Sequence, residues 1–224
     1  MRSMRIGESA KRGDARAKAA GREHYAADAY PENLLWAQAV RPGVPSGRVV
    51  RVDAAPALAV PGVVKVLTAA EVPGTNRQGI IHKDMPVLAR ERVLYCGDPV
   101  ALVLAESKAA AQLGASLVET DIQPLPGVFD LDMALAPGAP LVHADHPGNI
   151  LARATIRNGD GADALAGCDV VVEGTFSTPV QAHAFLETEN GVAWLLPDGG
   201  HLPDSKDGRK NHRCDTSDKS NGTK

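Results

Sequence analysis

Cysteine is scarce and scattered: Cys96, Cys168 and Cys214 are the only three in 224 residues. Without a C-x-x-C pair, neither a zinc ribbon nor a disulfide framework is indicated, and a reducing, cytoplasmic setting is expected. Aromatic residues make up only 4%, so the core must be built mainly from Val, Leu and Ala. No apolar run approaches the roughly 20 residues of a membrane span. The basic start, Met1-Arg2-Ser3-Met4-Arg5, has no apolar stretch behind it, which argues against a secretory signal. Charge of one sign is lacking too. Lys and Arg number 24 against 27 Asp and Glu, a net charge of −3. A nucleic-acid partner would need a clustered basic face, and none is visible. There is no G-x-x-x-x-G-K-[ST], no G-x-G-x-x-G after a strand and no G-x-S-x-G elbow, so phosphate cradles and serine hydrolysis have no support.

What is present is a chain of mixed α and β character, 44% apolar, with 22 Gly and 16 Pro. Residues 1–20 read as a polar, basic leader without a core of its own. Strands are expected over 33–41, 47–53 and 63–68. Between the last two, Asp53 reads as the cap of a short helix over 54–59, stopped by Pro61-Gly62. That makes a strand–helix–strand unit in very few residues. After a loop over 73–86, strands at 92–95 and 99–105 flank Cys96-Gly97-Asp98. The second is almost wholly apolar, as in a strand buried on both faces. Ser107 caps an Ala-rich helix over 108–117. A strand over 118–122, a turn at 123–127 and a short helix over 130–136 follow. Residues 136–165 read as loop, 168–176 as a strand and 185–196 as strand-rich. After Leu202 there is no Leu, Ile, Val, Met, Phe, Tyr or Trp. Such a stretch cannot offset its ordering entropy, so a disordered tail is expected.

Three groups of residues are candidates for chemistry. Gly97-Asp98-Pro99 reads as a turn, with close backbone approach to a ligand as the functional alternative. His143 and His146, with Asp145 between them, have a spacing compatible with metal ligation, but no third ligand is evident and Pro147-Gly148 follows at once. The densest constellation is Gln181-Ala182-His183-Ala184-Phe185-Leu186-Glu187-Thr188-Glu189. It reads either as a hydrogen-bonding shelf for a polar ligand or as buried, mutually satisfied groups that fix a turn.

The order of these segments resembles the N-terminal part of the molybdopterin-binding subunit of the xanthine dehydrogenase/aldehyde oxidase family. The resemblance starts at Arg12-Gly13-Asp14 through Lys18, Gly21 and Tyr25. It continues through Val52-Asp53, Val60-Pro61-Gly62-Val63 and Val72-Pro73-Gly74-Thr75-Asn76. It is strongest at Val93-Leu94-Tyr95-Cys96-Gly97-Asp98-Pro99-Val100-Ala101-Leu102-Val103, and ends at the turn from Gln181 to Glu189. It implies an α+β fold. A leader (1–19) precedes an α/β hammerhead domain (20–126). A linker (127–165), the first strands of a molybdenum-cofactor-binding domain (166–201) and a non-family tail (202–224) follow.

In such enzymes a molybdenum–pyranopterin centre hydroxylates a purine, N-heterocycle or aldehyde carbon with oxygen from water. Iron–sulfur and FAD modules on partner subunits or domains carry the electrons away. The resemblance implies that Gln181, His183 and Glu187 are structural and that Cys96 is not a metal ligand. The family's cofactor-contacting glutamine, its G-G-x-F-G-G-K segment and its general-base glutamate find no counterpart among these residues. No catalytic, cofactor-binding or metal-ligating residue is therefore assigned within the chain. The expectation is an N-terminal fragment of a molybdenum hydroxylase subunit, inactive alone, with its tail a shifted reading frame or a cloning scar. The competing expectation is a non-catalytic interaction module built on an isolated hammerhead.

Overall fold

A computed structural model of the chain describes residues 7, 9, 12–80, 82–184, 191–195 and 201–204. In chain order its elements are α1 (Ala15–Ala19), β1 (Trp36–Val40), β2 (Gly47–Asp53), α2 (Ala55–Leu58), β3 (Val63–Thr68), β4 (Arg92–Val93) and β5 (Ala101–Ala105). Then come α3 (Lys108–Leu117), β6 (Glu119–Pro124), α4 (Leu131–Leu135), α5 (Gly161–Ala166), β7 (Val192–Leu195) and β8 (His201–Asp204). The chain packs as two units, one of Asn33–Glu173 and one joining Met1–Glu32 to Gly174–Lys224.

The expected α+β architecture forms. The larger unit holds two antiparallel three-stranded sheets, ordered β1-β5-β3 and β4-β2-β6. β5 is the central strand of the first, which accounts for its unbroken apolar run. Ala101, Val103 and Ala105 are buried on one face, and Leu102 and Leu104 are half-buried on the other. Helix α3 packs on the buried face through small residues, with Ala111 and Gly114 buried. It begins where Ser107 Oγ accepts the Ala110 N–H at 3.1 Å, the capping bond expected of a serine there. In β2 the register shifts between Val49 and Arg51. The extra residue lets Val49 and Val52 both pack on the core while Val50 stays exposed.

The core is made of Val and Ala: Val40, Ala57, Val66, Ala89, Val93, Val100, Ala101, Val103 and Val118 form its buried cluster. Leucine contributes less than composition suggests, Leu88 being the buried one among the described residues. The close approach of α3 to β5 leaves little depth for a longer side chain.

Several boundaries differ from the sequence reading, each for a local reason. β1 begins at Trp36 rather than 33, because Asn33 has a left-handed φ of 59° that interrupts extension. The strand–helix–strand unit proves to be a crossover, since β2 and β3 belong to different sheets. Asp53 does act at the start of α2, its Oδ1 accepting the Ala55 N–H at 2.9 Å. β4 stops at Val93 because the Leu94 N–H donates to a side chain instead of a strand partner. Helix α5 forms at the end of the stretch read as loop, with Asp163 in its first turn. Residues 168–176 are not a strand in this structure: no ladder includes them, and Val172 (88%) and Phe176 (93%) are exposed. A β-branched run becomes a strand only beside a partner, and none lies along it among the described residues.

In the smaller unit, α1 buries no residue. β7 and β8 pair antiparallel, Val192 opposite Asp204 and Leu195 opposite His201. Residues 202–204, assigned by composition to the tail, are thus the end of β8. The rest of the expected tail, 205–224, lies outside the described residues, as do 185–190 and 196–200 of the region read as strand-rich. No helix among the described residues is long and apolar enough to cross a membrane.

Candidate functional site

The turn between β4 and β5 carries the most buried carboxylate described. Asp98 is 2% exposed. Its Oδ2 accepts the Leu94 N–H at 2.7 Å, and its own N–H donates to Tyr95 O at 3.1 Å. Arg41 Nε donates to Gly97 O at 3.0 Å, and the Ala89 N–H donates to Pro99 O at 2.7 Å. The carboxylate is thus engaged by the backbone of the turn that joins the two sheets. Gly97-Asp98-Pro99 holds a corner of the fold, and its geometry serves the backbone.

Beside this corner lies an open cavity of about 510 Å³. Arg77, Arg90 and Arg92 line it against Asp84 and Glu91. Its mouth is shaped by Asn76, whose amide copies a backbone pairing. Asn76 Nδ2 donates to Leu88 O at 2.7 Å, and Oδ1 accepts the Leu88 N–H at 3.0 Å. Asn149 plays a similar part on the following strap. It accepts the Val142 N–H at 2.9 Å and donates to Ala134 O and Pro140 O, each at 3.0 Å, from a left-handed φ of 57°. Sequence reasoning passed over both asparagines as fixing points. A lone Asn in a Pro- and Gly-rich stretch is a weak turn signal until its distant partners are known.

His143 and His146 do come together, and His82 joins them. Their rings meet edge to face, with centroids 5.6 Å apart for His143 and His146 and 6.1 Å for His82 and His146. His146 Nε2 lies 3.7 Å from Asp84 Oδ2. Among the described residues no group of three or more His, Cys, Asp or Glu is placed to hold a metal ion.

The constellation at 181–189 is described only as far as Ala184. Gln181 and His183 are exposed there, so the burial supposed for satisfied core partners is not found for these two. Glu187 and Glu189 lie outside the described residues. Cys96 and Cys168 are exposed thiols, the latter directed to Ala164 O at 3.2 Å, while Cys214 also lies outside. The described geometry therefore builds a well-braced corner and a mixed-charge cavity.

Comparison with known proteins gives this geometry a family. The profile described as "Aldehyde oxidase and xanthine dehydrogenase, a/b hammerhead domain" matches residues 20–126. The profile "Molybdopterin cofactor-binding domain" matches residues 142–203. A probable xanthine dehydrogenase subunit of Bacillus subtilis (strain 168) is 38% identical over 84% of this chain and 25% of its own length. The nicotinate dehydrogenase large molybdopterin subunit of Eubacterium barkeri is 34% identical over 87% of this chain and 45% of its own length. Among solved structures, the aldehyde oxidoreductase from Desulfovibrio gigas superposes with a TM-score of 0.76 at 31% identity, over 86% of this chain and 22% of that one. The chain thus spans between about a fifth and a half of the length of these relatives. It belongs to the xanthine dehydrogenase/aldehyde oxidase family, and corresponds to the N-terminal a/b hammerhead domain and part of the cofactor-binding domain of the molybdopterin-binding subunit.

Proposed function

We propose that these residues serve within a molybdenum hydroxylase subunit whose reaction is the oxidative hydroxylation of a purine, N-heterocycle or aldehyde carbon with oxygen from water. The observation that carries this reading is the co-linear match of hammerhead and cofactor-domain profiles along one chain. We keep the leader at 1–19 and the hammerhead at 20–126, shorten the linker from 127–165 to 127–141, and extend the opening of the cofactor domain from 166–201 to 142–204, which leaves the tail from 205.

A molybdenum–pyranopterin centre carries its metal on the cofactor's own dithiolene, so its envelope is made of groups that hold the pterin, and no such group is assigned among the described residues. We therefore place the cofactor envelope and the general base in parts of the subunit beyond these residues, and take the 224-residue chain as inactive by itself. Gln181, His183 and Glu187 are assigned a structural part in the cofactor domain. Two of the relatives are named as subunits of larger enzymes. By the same logic this chain's partners are iron–sulfur and FAD subunits or domains, in a cytoplasmic setting. The second reading, a non-catalytic interaction module, is favoured by the exposed apolar side chains of Val170, Val172 and Phe176.

A chimaera tests the first reading. Replacing the corresponding segment of the Bacillus subtilis protein with this chain should give a protein that folds and takes up molybdenum, measured by elemental analysis. A folded chimaera that takes up none would contradict it.

A further inference from the structure

We propose that one buried, ordered water molecule, held between Ser46 Oγ and Arg92 Nε, fastens residues 126–142 to the β4-β2-β6 sheet. Ser46 directly precedes β2, and Arg92 opens β4. Both atoms are sealed from solvent, and neither has a hydrogen-bond partner among the described residues. They line the same small cavity. Leu94 closes it on the sheet side, and Pro126, Val128, Pro140 and Leu141 close it on the strap side.

The cavity gives the centre of a water molecule about 20 Å³ of room. An ordered water needs roughly 10–15 Å³ so measured and two to four polar partners. The space therefore holds one water, and it is too small for an organic ligand. The donor chemistry also closes. Arg92 Nε–H can only donate, so the water accepts from it, and the water in turn donates to Ser46 Oγ, whose hydroxyl can rotate to suit.

Both protein groups are held in place from their other ends. Arg92 Nη2 donates to Leu141 O at 3.1 Å, which pins the guanidinium across the strap. Ser46 O accepts the Leu125 N–H at 3.0 Å. Leaving a buried donor unpaired is costly. The water is the part that completes the seam. It makes the strap a fixed continuation of the hammerhead, with Asn149 bracing its far side.

A crystal structure of the 224-residue protein, at a resolution that shows ordered water, tests this first. The expected result is one water within hydrogen-bonding distance of both atoms. A dry gap, a direct Ser46–Arg92 bond, or an Arg92 turned into the open cavity would each overturn the proposal. Hydrogen exchange on Ser46→Ala gives a second readout that keeps the Ser46 backbone bond. Losing one partner of the water should speed exchange of the Val142 amide roughly fivefold relative to the Val103 amide, the factor that one net hydrogen bond represents. If the gap is dry, removing an unpaired hydroxyl leaves that exchange unchanged or slows it, which would also refute the water.

Discussion

Asp98 shows at the residue scale how a turn is made obligatory. Its carboxylate takes the Leu94 N–H at 2.7 Å in a site that water does not reach. Asp98→Ala strands that N–H and should cost about 1–3 kcal/mol, read as a lowered urea midpoint. Asp98→Asn keeps an acceptor and should cost less; equal losses for the two would count against this account. Asp14 behaves differently because it is only half-buried. Arg12 and Lys18 donate to its carboxylate and hold its pKa down to about 2, against an ordinary 3.8. A depressed carboxylate favours the ordered state above its unfolded pKa, and that contribution disappears as pH falls through the folded value. The order of α1, followed by carbon chemical shifts at Ala17, should therefore persist above pH 3.8 and fade as pH approaches about 2. Arg12→Ala should move that midpoint upward. A midpoint that stays put in this variant would show that the guanidinium is not the cause.

The contact of α3 with the first sheet sets the packing distance at the scale of elements. A Cβ on Gly114 would meet Val63 Cγ2 at 2.9 Å and Val103 Cγ1 at 3.0 Å. Gly114→Val should thus force the helix off β5 and cost about 1–3 kcal/mol in chemical denaturation. A neutral result would mean that the helix floats on the sheet. Ser107→Ala, losing the capping bond, should cost about 1 kcal/mol in the same assay. These elements were legible in the sequence because their signals are local. An unbroken apolar run marked β5, and Ser before an Ala-rich stretch marked α3. Asp53 before Ala54 marked α2 for the same reason. What was not legible depends on distant partners. Nothing in residues 47–68 says that β2 and β3 enter different sheets. Nothing near His143 announces His82 and Asp84 across the loop, and Val170–Val172 reads as a strand whether or not a neighbour exists. Asn76 and Asn149 likewise acquire meaning only from the carbonyls they meet. The candidate site was legible mainly through the order of family motifs along the chain rather than through any one residue.

For the whole molecule, the larger unit has two sheets, a helix and a Val–Ala core of its own, while the stretch around Val172 and Phe176 stands bare. Apolar side chains left in this state tend to find a partner surface. The purified chain should therefore self-associate in a concentration-dependent way by light scattering, and Val170→Lys with Val172→Lys should suppress it. A wild-type chain that stays monomeric at all concentrations would remove the ground for the interaction-module reading. The central claim is that the fold of this chain is that of the xanthine dehydrogenase/aldehyde oxidase family, with the proposal that the metal is held by other parts of the subunit. It is tested most directly by the molybdenum content of the folded 224-residue chain, purified from a host that makes molybdopterin. The account predicts none retained. One molybdenum per chain would contradict it.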